Sequence, residues 1–196
     1  MKTILLTAFA AVSMLATQAQ STWKVDAVHS NVRFTVSHLV VSEVEGSFKK
    51  FDGTCVNPNA GDDFSKASID FTIDVASINT DNEMRDNHLK GDDFFSAEKF
   101  PQMKFKSKSM TKTGDKTYKL VGDMTIRDVT KSVELTVTYG GTAKDPYGNT
   151  KAGFKVQGTI NRVAYGLKWN PMMEAGGSVV GEDVSFRANL EMTKQK

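Results

Sequence analysis

Three histidines, a single cysteine and scattered carboxylates are the side chains with which this 196-residue chain could do chemistry. His29, His38 and His88 would make a zinc site if folding gathered them, but none of their spacings is a metal-ligand motif. His29 beside Ser30 is not a nucleophile and base pair, because neighbours along extended chain point apart. Cys55 has no basic sequence neighbours to favour its thiolate, and as the sole cysteine it cannot close an internal disulfide. No pair of inward carboxylates, glycine-rich phosphate loop or activated serine stands out. The expectation is a chain with no catalytic residue, no metal and no cofactor.

If chemistry does not define the protein, its apolar pattern must. In Ala67-Ser68-Ile69-Asp70-Phe71-Thr72-Ile73-Asp74-Val75 every second residue is apolar, the signature of a strand hidden on one face and wet on the other. The same alternation places Val32, Phe34 and Val36 inward, then Val44, Gly46 and Phe48, Met103 and Phe105, and Tyr118, Leu120, Gly122, Met124 and Ile126. It continues through Val133, Leu135, Val137 and Tyr139, then Ala152, Phe154, Val156, Gly158 and Ile160, and ends with Val184, Phe186, Ala188, Leu190 and Met192. Thr113-Gly114-Asp115 and Asp145-Pro146-Tyr147-Gly148-Asn149 supply turns between strands. Residues 80–100 break the rhythm. Thr80 and Glu83 stand at capping-box spacing and Gly91 offers a stop, which predicts a short helix over 81–90.

These signals predict an all-β fold with eight antiparallel strands and one short helical insertion between the third and fourth long strands. Periodicity is equally satisfied by a closed barrel and a two-sheet sandwich. The near-absence of helix and the meander order favour the barrel. Met1 and Lys2 precede an apolar run from Ile4 to Leu15, followed by Thr17-Gln18-Ala19. This reads as a secretory signal over residues 1–19, cut after Ala19, because the run is too short to span a bilayer. A single domain over 20–196 remains, exported to the periplasm or beyond, with no membrane-spanning segment of its own. The cut takes one lysine from 25 basic side chains, leaving 24 against 23 acidic ones. Nothing in that balance seeks nucleic acid.

An eight-stranded barrel is wide enough either to be filled by its own side chains or to hold one small ligand. Large inward residues alternate with Gly46, Ala67, Gly122, Ala152, Gly158 and Ala188, which would leave room. Composition by itself slightly prefers a filled core. On the space reading, Gly158→Phe or Ala152→Phe would displace a ligand.

Several segments resemble the YceI-like family. They are Trp23-Lys24-Val25-Asp26 with His29-Ser30, Val44-Glu45-Gly46-Ser47-Phe48, Arg85-Asp86 with His88-Leu89, Asp93-Phe94-Phe95, and Phe100-Pro101. Leu120 to Lys131 and Ile160-Asn161-Arg162 with Tyr165-Gly166-Leu167 continue the likeness, which runs from about Trp23 to Met192. The chain departs from the family at Val163-Ala164, where polar or acidic residues are more usual. The resemblance implies a lipocalin-like barrel whose apolar tunnel takes a long-chain isoprenoid or fatty-acid-type lipid. Phe34, Val36, Phe48, Phe71, Ile73, Phe105, Leu120, Leu135, Phe154, Val156 and Phe186 would line that tunnel. His38, Arg85, His88, Phe94 and Phe95 would stand at its mouth. Arg85 and His88 would either meet a polar headgroup or only tie the helix to the barrel, since a guanidinium suits a phosphate and a buried carboxylate alike. A lipid-modifying enzyme and a ligand-free interaction module are the alternatives, and a homodimer is left open.

Overall fold

The structure is a computed structural model that describes residues 20–171 and 178–196. The proposed signal at 1–19 lies outside the described residues. The chain forms β1 (Ser21–Val25), β2 (Asn31–His38), β3 (Ser42–Phe48), β4 (Phe51–Asn57), β5 (Ser68–Asp74), β6 (Ile78–Asn79), α1 (Glu83–Lys90), β7 (Gln102–Lys112), β8 (Thr117–Ile126), β9 (Val129–Lys144), β10 (Thr150–Asn161) and β11 (Val180–Lys194). All pairings are antiparallel, in the order β1-β4-β5-β7-β8-β9-β10-β11-β2-β3-β6. β11 also returns to β1, with Trp23 opposite Lys194. That contact closes an eight-stranded ring through β1, β4, β5, β7, β8, β9, β10 and β11.

The three extra strands continue members of the ring. β2 prolongs β1 alongside β11 after the 3-10 turn Ala27–His29, β3 runs into β4, and β5 runs into β6 across a second turn at Val75–Ser77. The sequence reading therefore had eight strand paths but missed the β1 and β4 segments. The inward set of β4 is Phe51, Gly53, Cys55 and Asn57, too small and polar for the apolar alternation to show. Closing the ring gives each of its eight strands a partner on both sides, where two open sheets would leave unpaired edges.

One end of the barrel is plugged. The loop between β4 and β5 sends Phe64 inward to complete burial, against Trp23, Tyr139 and Phe154 at ring separations of 5.7, 5.4 and 4.8 Å. Burying such a ring is worth about 1.5–3 kcal/mol. Lys66 N–H donates to Met110 C=O at 2.8 Å and pins the loop over the end. Tyr118, Met110, Ala152 and Met192 complete this core.

The opposite end is roofed by α1 and the turns after it. The helix starts two residues later than the spacing predicts, because Asn82 is the N-cap and its side chain accepts from Arg85 N–H at 3.0 Å. Thr80 does not form a capping box. Its N–H and hydroxyl both donate to buried Asp86, at 2.8 and 2.6 Å. Gly91 N–H closes the last turn on His88 C=O.

Candidate binding cavity

Between plug and roof lies a hollow of about 200 Å³. One water needs roughly 10–15 Å³ by that measure and two to four polar partners. The wall offers almost none. Its side chains come from every long strand path: Val32, Phe34, Val36 and Phe48; Ile69, Phe71 and Ile73; Met103 and Phe105; Leu120, Met124, Ile126 and Leu135; Val156 and Ile160; Val184, Phe186, Ala188 and Leu190. Leu89, Phe94, Phe95, Leu167 and Val180 close the roofed end.

Ten of the eleven residues expected to line a tunnel face this hollow, namely Phe34, Val36, Phe48, Phe71, Ile73, Phe105, Leu120, Leu135, Val156 and Phe186. Phe154 does not. It points inward, but at the plugged end, where Phe64 and Tyr139 enclose its ring. The inward glycines also leave less room than their size suggests. A Cβ on Gly46 would run into the ring of Phe34, its cross-strand partner, and one on Gly158 would stand 2.5 Å from Leu135 Cδ2 and 3.0 Å from Phe186 Cζ. At each of these glycines a neighbouring side chain occupies the space a Cβ would take. Ala152 is buried in the plug, so Gly158→Phe and Ala152→Phe would overpack the wall or the plug rather than fill the hollow.

Of the five residues expected at the mouth, Phe94 and Phe95 line the hollow, with Phe95 edge-on to Phe48 at 6.1 Å. Arg85, His88 and His38 do not. Arg85 donates from Nε to Thr80 Oγ1 and from Nη2 to Thr80 C=O, both at 2.8 Å, tying α1 to the chain after β6. His88 packs edge-on against Phe94 and Trp169, at 5.1 and 5.0 Å, and its Nε2 lies 3.0 Å from Asp93 Oδ2. His38 ends β2, paired with Val180 and Ser42.

Two arginines in the roof went unremarked as individual residues. Arg162 is buried, and its guanidinium donates to the carbonyls of Gly181, Leu167, Trp169 and Val180 at 2.6–3.0 Å. It lines the hollow, and burial lowers its pKa. Arg127 donates from Nη1 to Phe94 C=O and Gly166 C=O at 3.2 Å and lies 5.5 Å from the Phe100 ring centre. Both tie backbone carbonyls of separate loops together at the roofed end. Their signal was in the segments Leu120 to Lys131 and Ile160 to Leu167, but which carbonyls they reach depends on loops far away in sequence.

The histidines lie in three separate places. His29 joins Asp26 and Glu191 in a cluster of potential metal donors, yet the Lys151 ammonium sits among them, 2.7 Å from Asp26 Oδ2 and 3.3 Å from Glu191 Oε1. Lys151 and His29 hold the Asp26 carboxyl far below the usual carboxylate range, and Asp26 in turn raises the pKa of Lys151. The group is an ion-pair network beside β1, outside the hollow.

The family model described as "YceI-like domain" matches residues 23–192. The chain belongs to the YceI-like family. A UPF0312 protein of Staphylococcus aureus (strain N315) is 42% identical over 169 residues, covering 86% of this chain and 95% of its own. The crystal structure of a Campylobacter jejuni YCEI protein superposes with a TM-score of 0.70 at 34% identity, covering 82% of this chain and 90% of its own. A domain from Saccharophagus degradans, described as polyisoprenoid-binding, has a TM-score of 0.64 at 14% identity over 88% of this chain and 98% of its own, and shares the fold. What the solved structures share with this chain is its overall fold.

Proposed function

We propose that this YceI-like chain is an exported, non-enzymatic carrier that shelters one long-chain amphiphile, a polyisoprenoid or a fatty-acid derivative, with its tail in the hollow. The observation that carries the reading is a barrel plugged at one end by Phe64 and roofed at the other by Phe94 and Phe95, with apolar walls throughout. Water gains nothing there, whereas a hydrocarbon tail does. Enclosing about 400 Å² of tail releases on the order of 10 kcal/mol, before the cost of immobilising a flexible molecule. The description of the Saccharophagus degradans domain supports the ligand class. Against an enzyme stands the lining itself: among the described residues its only buried ionisable side chain is Arg162, whose donors hold backbone carbonyls.

Selectivity for tail length is loose on this reading, because affinity accrues carbon by carbon rather than through fixed hydrogen bonds. The test is to extract the purified protein into organic solvent, weigh the released material, and melt the stripped protein with and without it. Recovery of an isoprenoid or acyl compound that raises the melting temperature is expected. An extract empty of lipid, together with a melt that no added lipid shifts, would refute the carrier. The intact mass of the exported protein should correspond to a chain beginning at Gln20.

A further inference from the structure

Six large apolar side chains stand exposed among the described residues, and four of them, Leu39, Val40, Val41 and Met84, occur at the roofed end of the barrel. Val28 lies in the turn between β1 and β2, and Tyr147 in the hairpin between β9 and β10. Leu39, Val40 and Val41 form the tip of the β2–β3 hairpin, and Val40 and Val41 are 78% and 85% exposed. Met84, 84% exposed, is on α1. It stands apart from the tip: its neighbour Arg85 is bonded to Thr80, whose methyl comes within 2.9 Å of a Cβ position on Gly46, mid-way along β3 and opposite Phe34. The hairpin strands run directly out of the cavity wall: Val36 and Val180 line the hollow, and Leu39 N–H donates to Val179 C=O at 2.9 Å.

The backbone of the tip is costly for the residues it carries. Leu39 and Val40 both have positive φ, 53° and 63°, in a turn closed by Val41 N–H on His38 C=O. Two consecutive positive φ values are the geometry that Asn-Gly fills with least strain, and a β-branched valine is among the worst choices. The sequence thus holds apolar side chains in water and strains the backbone to do so, at the end where the hollow meets the loops.

The geometry points to a membrane-docking tip: Leu39, Val40 and Val41 insert into the apolar edge of a lipid bilayer and bring the roofed end against it. A second copy of this chain is the weaker occupant on area. The three side chains of the tip present roughly 300 Å² together, against about 800 Å² per partner in a standard stable interface. A bilayer needs no matching surface. The exposed charges nearest the tip on β3, Glu43 and Glu45, are acidic. Docking is therefore driven by insertion, on uncharged or zwitterionic lipid, rather than by attraction to anionic headgroups. The biological sense of docking rests on the carrier reading, but the contact itself is measured without cargo.

The test uses the chain from Gln20, which contains every described strand, in flotation with phosphatidylcholine vesicles and with vesicles carrying added anionic lipid. The double variant Leu39→Asn/Val40→Gly supplies the residues the turn prefers, so the fold is kept or stabilised while the apolar tip is lost. The expected result is flotation of the parent on phosphatidylcholine, no strengthening with anionic lipid, and at least a tenfold weaker association for the double variant. A soluble fluorescent fatty acid should bind parent and double variant alike, so loss of docking and loss of the carrier function are told apart. A parent that does not float, a double variant that floats equally well, or a parent dimer that the double variant splits into monomers would each overturn the docking tip.

Discussion

Filling the hollow with protein should act in opposite directions on stability and on binding. Ala188 is the position for it: the residue lines the cavity on β11, 7% exposed, with Val32 and Val156 as its cross-strand partners. Ala188→Phe adds a ring of about six carbons to the wall, where about four to six carbons of a bound tail would otherwise lie. At ~0.8 kcal/mol per buried methylene this removes ~3–5 kcal/mol from binding, so Kd rises at least a hundredfold. For the empty protein the balance runs the other way. Burying the ring yields about 1.5–3 kcal/mol, and the usual overpacking penalty of about 1–3 kcal/mol is largely avoided because the room already exists. The stripped variant should therefore be as stable as the parent or about 1 kcal/mol more so. Urea unfolding of delipidated protein reads the first quantity, and titration with a fluorescent long-chain fatty acid reads the second. A variant that is destabilised by 1–3 kcal/mol yet binds the probe as the parent does would show that no fillable hollow stands beside Ala188, and the cavity reasoning would fall with it.

Three other outcomes follow from particular residues. Asp26 has a folded pKa depressed by Lys151 and His29, so its contribution is present above the unfolded value near 4 and is lost as pH falls below it towards the lower folded value; Asp26→Asn should cost about 1–2 kcal/mol in urea unfolding at pH 7 and much less near pH 2. Arg162→Gln strands most of four carbonyls that one guanidinium now holds, and it should lower stability by about 3 kcal/mol or more, with hydrogen exchange rising first in 162–169. The Cys55 thiol is buried and pushed up to about 12 by desolvation, so a thiol reagent at pH 8 should leave the folded protein untouched and react fully once it is unfolded in urea.

The strand faces were legible residue by residue because pleating sends alternate side chains to opposite sides wherever a strand sits. That local rule identified the inward positions of β2, β3, β5 and β7 through β11 from spacing, and the break at Thr80 to Phe100 marked the helical insertion. It failed at β1 and β4. Their inward residues include Ser21, Gly53 and Asn57, which are buried by what lies opposite rather than by their own hydrophobicity. No local signal separates Phe154 from Phe186 either: both are inward phenylalanines on neighbouring strands, but one meets Phe64 in the plug and the other faces empty space.

From its sequence alone this chain determined which side of each regular strand is apolar and, through its motifs, the family whose barrel it builds. Closure of the ring was decided only in three dimensions, by β1 meeting β11 across nearly the whole length of the chain. So were the reach of Phe64 into one end, the lie of Phe34 over Gly46 and the carbonyls that Arg162 gathers. Period-two burial says that a side chain leaves water. Whether it then touches another side chain or borders a hollow depends on volumes contributed from several strands at once, which no single stretch of residues contains.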